Sequence, residues 1–354
     1  MKNETKKQNR NHMIFYAAFF LAVMFLTFHL IFKNTELDDI YEALDLMHPG
    51  YLFAAALDAV LFVALEGIII WYLISALHKE YGLPGKGSGV LRCIGYSFIG
   101  FFYSGITPSA TGGQPMQLYH MNKDGNRLAD SSVVLMTVAV IYKLVLSVIG
   151  ILIYVFWRVP LKGYLGKYMD LFVLGLFLNS GLVLLLLFVM FAPKQAGRVI
   201  HKLEQALVKI HLFKYSERRI RKIDSFINGY RESVGFLVTH TGKVLVVLVL
   251  TTVQRFSVFV LTWLVYRGFQ LTGTPIWDIM WLQAATYISV DMLPIPGSQG
   301  ITELVYRRAY ASVFPKKLLF PSMMAVRGLS FYLVFFIGFL AVIWKMFHNA
   351  SHES

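Results

Sequence analysis

The sequence predicts an all-α polytopic membrane protein with six full spans and two oppositely oriented re-entrant helical hairpins, arranged as an inverted repeat. Composition is the first reason. Of 354 residues, 56% are hydrophobic, 15% aromatic and only 15% charged, a balance no soluble domain carries. The second is that the apolar residues fall in runs long enough to cross a bilayer. The third is a pair of polar interruptions, SGITPSATGGQPMQLYHMNKDGNR at 104–127 and MLPIPGSQG at 292–300. In the first, Pro108, Pro115, Gly105, Gly112 and Gly113 fall within eleven residues and rule out a continuous helix. Backbone groups freed in hydrocarbon need protein or water partners, so such a break lines a cavity; paired breaks in two halves point to a transport site. Ordinary loops outside the bilayer are the alternative reading.

Residues 1–12 form a basic tail with Lys2, Lys6, Lys7 and Arg10, followed by a twenty-residue apolar run at 13–32. The length of this run, and the lack of a small-residue cleavage site before Lys33, favour a retained helix over a signal peptide. Residues 33–50 carry five acids (Glu36, Asp38, Asp39, Glu42, Asp45) against one lysine, which suits the outer side, so the amino terminus is expected inside. A second span at 51–77 returns to a Gly- and Pro-bearing inner turn. The run from Gly89 meets the first break after about sixteen residues, too few to cross comfortably. A re-entrant hairpin over 89–127 follows, its return arm ending at Lys123 and Arg127. Residues 129–157 go out and complete a first membrane half (13–157); 169–192, within a fifth-span region (158–192), come back.

Residues 193–243 carry eleven Lys or Arg against four acids, the strongest inside marker in the chain. Val199, Leu203, Leu207 and Ile210 share one helical face, as do Ile220, Ile223, Ile227, Tyr230 and Val234. Two amphipathic helices on anionic inner-leaflet lipid satisfy both patterns; a solvated basic arm is the alternative. The second membrane half (244–347) has a span at 244–266, a hairpin over 277–315, an outer turn at Lys316 and Lys317, and a span at 321–347. A cytoplasmic tail (348–354) closes the chain. Arg158, Lys162, Lys167 and the two turn lysines then lie outside, against the charge rule. Offsets support a repeat: Gln114 and Lys143 follow Pro108 by six and thirty-five residues, and Gln299 and Arg327 follow Pro294 by five and thirty-three.

Six ionisable residues fall where hydrocarbon is expected: Glu66, Lys143, Arg255, Asp291, Glu303 and Arg327. Each mid-bilayer charge costs about 2.5–3.5 kcal/mol on insertion scales, so they need partners or water. Two readings stand. They neutralise one another as structural pairs, or a substrate phosphate competes for the cations while the acids meet an amino group or a proton. Arg327, six residues into its expected span, can also reach outward. Thr107, Ser109, Thr111, Gln114 and Gln299 offer hydrogen bonds, and the amides of Gly112 and Gly113 can approach an anion at a half-helix terminus. For each hydroxyl alone, capping its own broken helix is the stronger reading.

Catalytic and cofactor readings have little to stand on. There is no P-loop, no HExxH and no nucleophile elbow, no histidine pair has metal-ligand spacing, and the single Cys93 excludes a disulfide framework or a Cys-based metal site. No cofactor or metal is expected. The net charge of +13 also suits nucleic acid, but its concentration at the inner membrane face favours anionic lipid instead.

The stretches TPSATGGQPMQLYHMNKDG and LPIPGSQGITE, with Arg327 in the last span, resemble the lysylphosphatidylglycerol synthase transmembrane family, the flippase-like module of the multiple peptide resistance factor. Pro296 and Ser298 stand where the family pattern has glycines. The resemblance implies movement of an anionic or aminoacylated phospholipid between leaflets of the cell membrane, as in resistance to cationic peptides. It also implies partners: anionic phospholipid, and a second copy or a separate lipid-modifying enzyme. Such proteins are often labelled phosphatidylglycerol lysyltransferases, but that activity belongs to a soluble domain after the membrane part, and here seven residues follow Phe347. The rival expectations are a transporter of a polyprenyl-phosphate-linked or small anionic substrate, and the lysyltransferase itself.

Overall fold

The computed structural model describes residues 45–82, 89–107, 110–192, 217–293 and 300–350, and every regular element among them is helical. The expected span at 13–32, the arm residues 193–216, Pro108, Ser109 and the run 294–299 lie outside the described residues.

The first half comprises α1 (Pro49–Glu80), α2 (Val90–Ile106), α3 (Gly113–Lys123) and α4 (Leu128–Phe156). A short α5 (Arg158–Leu165) and a 3₁₀ turn (Gly166–Tyr168) lead into α6 (Met169–Phe191). Then come α7 (Glu217–Thr239), α8 (Thr241–Gly268), α9 (Ile276–Val290), α10 (Ile301–Ala309) and α11 (Lys316–Arg327). A π-helical turn (Gly328–Leu333) joins α11 to α12 (Val334–Ala350). Five stretches are long and apolar enough to cross a membrane: α1, α4, α5 with α6, α8, and α11 with α12. These correspond to the five expected spans that fall within the described residues.

Two boundaries differ from expectation, each for a local reason. The last long helix opens at Lys316, so Lys316 and Lys317 belong to its first turn and Pro321 lies inside it. Pro315 immediately before it fixes an extended entry that starts the helix there. Arg327 is consequently the last of the twelve residues of α11, and the chain continues helical beyond it. Between α4 and α6 the chain forms the amphipathic α5, which buries Leu161 and Leu165 and stacks Trp157 on Tyr164 with ring centroids 5.6 Å apart.

Both interrupted regions fold as antiparallel helix pairs. In the first, Gly113 lies against Ser104 and Gly100, Gln117 against Gly100, and the Tyr96 hydroxyl donates to Asp124 Oδ2 at 2.5 Å. Partner numbers fall on one arm as they rise on the other, which is the register of a hairpin. In the second, the Tyr310 hydroxyl reaches back to Gln283 Oε1 at 2.9 Å and to the Ile279 carbonyl at 3.4 Å. The seventeen residues of α2 span about 25 Å, less than the roughly 30 Å of a hydrocarbon core.

The first hairpin packs on α12 of the second half, and the second hairpin packs on α6. A Cβ on Gly338 of α12 would stand 2.5 Å from the Phe98 carbonyl oxygen of α2, and Phe102 meets Phe335 and Phe339 beside it. A Cβ on Gly175 of α6 would stand 2.1 Å from the Ile288 carbonyl of α9. Where hydrophobic attraction between helices is absent, such close backbone approach supplies the packing. Between the halves, α1 and α8 share a polar seam: Ser257 Oγ donates to Asp58 Oδ1 (2.6 Å) and Gln254 Nε2 to the Phe62 carbonyl (2.9 Å).

The amphipathic α7 places Val234, Phe236 and Leu237 in the core. Ser233 Oγ donates to Asp130 Oδ1 (2.7 Å), Arg127 Nη2 bridges Asp130 (3.0 Å) and Glu232 (3.4 Å), and the Tyr81 hydroxyl donates to the Glu232 carbonyl (2.9 Å). The fully buried Asp130 carboxylate needs these donors. Over its second half, therefore, the apolar face expected to rest on lipid is covered by protein.

Candidate functional site

Of the six charges expected at membrane depth, four pair in the structure. Lys143, on α4, donates to Asp291 at the C-terminal cap of α9 and to Asn179 Oδ1 on α6 at 3.1 Å. Both charged side chains are largely buried, at 14% and 12% exposure. Tyr142 Oη lies 2.7 Å from Tyr287 Oη and donates to Asp291 Oδ1 at 3.3 Å, so two hydroxyls and an amide surround the pair. Arg327 Nε stands 3.1 Å from Glu303 Oε1 in the first turn of α10, with its guanidinium 5.0 Å from the Phe331 ring. Two of the expected cation–acid pairings therefore exist.

The remaining two charges do not pair. Glu66, on α1, accepts from Gln117 Nε2 of α3 at 2.7 Å. Arg255, on α8, is 1% exposed and makes no ion pair among the described residues. Its guanidinium lies between two rings, 4.1 Å from the centroid of Tyr142 and 4.5 Å from that of Phe62, with the Tyr287 hydroxyl beside it. Nε and Nη1 have no hydrogen-bond partner among the described residues. Stacking rings satisfy the faces of a guanidinium, worth roughly 2 kcal/mol when desolvated, and leave its edge, where the N–H groups point. Each buried, unpartnered donor costs about 1–3 kcal/mol. Arg255 is thus a fixed cation whose edge is suited to an anionic oxygen.

Tyr142 links these groups. It stacks on Arg255, neighbours Lys143 in sequence and reaches both Tyr287 and Asp291. Glu66 also feels the charge of Arg255. The structure accordingly gathers Lys143, Asp291, Arg255 and Glu66 into one connected region, with Glu303 and Arg327 as a second pair.

The first break is organised by its own side chains. Thr107 Oγ1 donates to the Tyr103 carbonyl (2.8 Å) and accepts from the Gly112 amide (2.8 Å), so the hydroxyl caps its broken helix and that amide is already used. Gly113 is required by close approach, since a Cβ there would lie 2.1 Å from Ser104 Oγ. Thr111 and Gln114 are exposed. Ser109 and Gln299 lie outside the described residues.

Sequence reading missed Asn179, Gln117, Tyr142 and Tyr287. Asn179 carried a visible signal, a lone amide within the apolar run 169–191. Gln117 was hidden among polar neighbours, and the tyrosines read as ordinary aromatics. A depression of about 300 Å³, lined by Tyr51, Trp263, Tyr266, Arg267, Thr272, Thr274 and Ile276, lies where α1 begins and contains none of the predicted residues. Among the described residues no three His, Cys, Asp or Glu side chains converge as metal ligands do.

Residues 13–338 match the model of the family described as the lysylphosphatidylglycerol synthase TM region. The chain belongs to that family. A search among curated proteins finds no match. The lysylphosphatidylglycerol synthase TM region includes every charge discussed above, from Glu66 to Arg327, and the multi-pass helical architecture accords with it.

The Lys143–Asp291 pair makes a sharp energetic prediction. Removing one partner of a buried pair leaves the other charge uncompensated, at about 3–5 kcal/mol, whereas replacing both by apolar groups is close to neutral. Thermal unfolding in detergent should therefore show a large loss for Lys143→Met and for Asp291→Leu, and most of it restored in the double variant. Simple addition of the two losses would contradict a coupled pair.

Proposed function

We propose that this chain is a lipid translocase that moves an anionic or aminoacylated phospholipid between leaflets, with Arg255 as the centre of its phosphate site. The observation that carries this reading is the state of Arg255: buried at bundle depth, stacked on both faces, and unpartnered at two nitrogens. A phosphodiester is the part of a phospholipid that must shed water to cross, and a guanidinium edge is its strongest side-chain partner. Lys143 and Arg327, released from Asp291 and Glu303, extend the cationic surface, while the freed acids and Glu66 can receive an amino head group. The pairs then re-form in the empty protein, which avoids bare charges in hydrocarbon.

The two antiparallel hairpins act in this proposal as re-entrant elements that enter from opposite sides. Their short arms, the packing of the first on α12 and the Lys143–Asp291 tie of the second to α4 support an inverted repeat around the charged region. Both termini lie inside, as the positive-inside rule favours, because the end of the bundle holding Arg92, Lys123, Arg127, Lys243 and Lys345 is cytoplasmic. The membrane is the cell membrane.

Two experiments test this. In vesicles carrying a fluorescent anionic phospholipid, Arg255→Gln should lower the rate of leaflet exchange at least about tenfold with the fold intact, while the exposed-end control Lys243→Gln leaves it unchanged. Equal rates for Arg255→Gln and the unmodified chain would remove the site, and faster exchange of a polyprenyl phosphate than of phospholipid would replace the substrate. For orientation, a Cys93→Ser background with one cysteine at the exposed Lys123, near Asn126, should label only from inside, and with one at Lys316 only from outside. Labelling of both from one side would overturn it.

A further inference from the structure

The end of the bundle where α1 begins holds a second concentration of cations, which the translocation site does not use. Arg158 and Lys162 stand one helical turn apart and exposed on α5, beside the buried Leu161 and Leu165, and Lys167 follows in the 3₁₀ turn. The end of α10 packs onto this turn. Arg308 Nη2 donates to the Gly163 carbonyl at 3.3 Å, and its guanidinium lies so close to Gly166 that a Cβ there would stand 2.9 Å from Nε. Arg307 is exposed next to it. Five cations from three elements thus share one surface. None of them makes an ion pair among the described residues; Asp170 and Asp278 are the acids of the adjoining helix starts.

The apolar residues of the same surface indicate what lies against it. Phe156 is 80% exposed and Val159 85% exposed, flanking Arg158 where α4 turns into α5. Trp157 and Tyr164 stack beneath them. Exposed apolar side chains, stacked amphipathic aromatics and a row of cations on one short amphipathic helix are the features of an element in the head-group layer, with apolar groups towards acyl chains and cations towards phosphates. The position is informative because cations are normally depleted on the outer side, where the proposed orientation puts this end. A soluble polyanion would explain the charge and leave Phe156 and Val159 facing water.

From this juxtaposition we infer that α5, the following turn and the end of α10 form a peripheral binding face for anionic phospholipid head groups, separate from the buried charged region. In the proposed orientation this face belongs to the outer leaflet, beside the second hairpin. The inference rests on the lipid reading of the protein only for its purpose; the selectivity of the face is a property of its own.

Lipid selectivity measured by electron paramagnetic resonance tests it. The full chain is placed in phosphatidylcholine vesicles with a trace of spin-labelled phosphatidylglycerol or spin-labelled phosphatidylcholine, and the motionally restricted fraction is compared. The unmodified chain should favour phosphatidylglycerol about threefold or more at low salt, and less at high salt. Lys162→Gln/Lys167→Gln, which keeps the Arg308 contact and hence the packing, should reduce that preference by at least half, and adding Arg158→Gln should lower it further. The opposite-end variant Lys243→Gln should retain it. Unchanged preference in the triple variant, or no preference in the unmodified chain, overturns the inference. Leaflet exchange is read separately: loss of selectivity with normal exchange supports the face, and normal selectivity without exchange refutes the translocase reading alone.

Discussion

The structure depends on one constraint, the cost of leaving a charge or a backbone polar group unpartnered in hydrocarbon. It explains why only helices appear among the described elements, and why the first break is closed by its own Thr107 and Gly112. It explains the Lys143–Asp291 and Arg327–Glu303 pairs, each joining a long helix to the hairpin whose second arm is α10. The Glu66–Gln117 bond does the corresponding work for the first hairpin. Polar contacts thus tie both interrupted elements to the bundle, and close glycine contacts complete the packing.

Within this arrangement Arg255 is the exception on which the proposed function rests. Four of the six charges neutralise one another, and for them the structural reading of the sequence is sufficient. Arg255 has its faces covered by Tyr142 and Phe62 and two of its nitrogens unpartnered. The rings offset part of the desolvation cost and hold the group in place, so an incoming phosphate meets an oriented cation without paying to order it. Family membership, through the match at 13–338, and the geometry of this single side chain both support the proposed anionic lipid.

Much of the fold was legible in the sequence because hydrocarbon enforces a simple code. Long apolar runs became long helices, and clustered Pro and Gly became breaks. What was not legible depended on contacts between segments distant in sequence. Arg158 and Lys162 read as violations of a charge rule, since only the fold reveals the amphipathic α5 and brings Arg308 onto the turn after it. Val234 read as part of a lipid-facing stripe, because nothing local announces that Asp130, more than a hundred residues earlier, would draw Ser233 onto α4. The place of Arg327 along its helix differs from the sequence reading because the helix starts after Pro315, before the apolar run itself. Of the site, the six charges were visible, while the tyrosines and amides that connect them carried no distinguishing pattern.

The most direct test of the central claim is native mass spectrometry of the chain released from mild detergent, comparing the unmodified protein with Arg255→Lys and Arg255→Gln. The account predicts at least one retained anionic phospholipid that survives delipidation in the unmodified protein, is weakened in Arg255→Lys, where charge remains but the planar edge is lost, and is absent in Arg255→Gln. Equal retention in all three, with the fold intact, would contradict it.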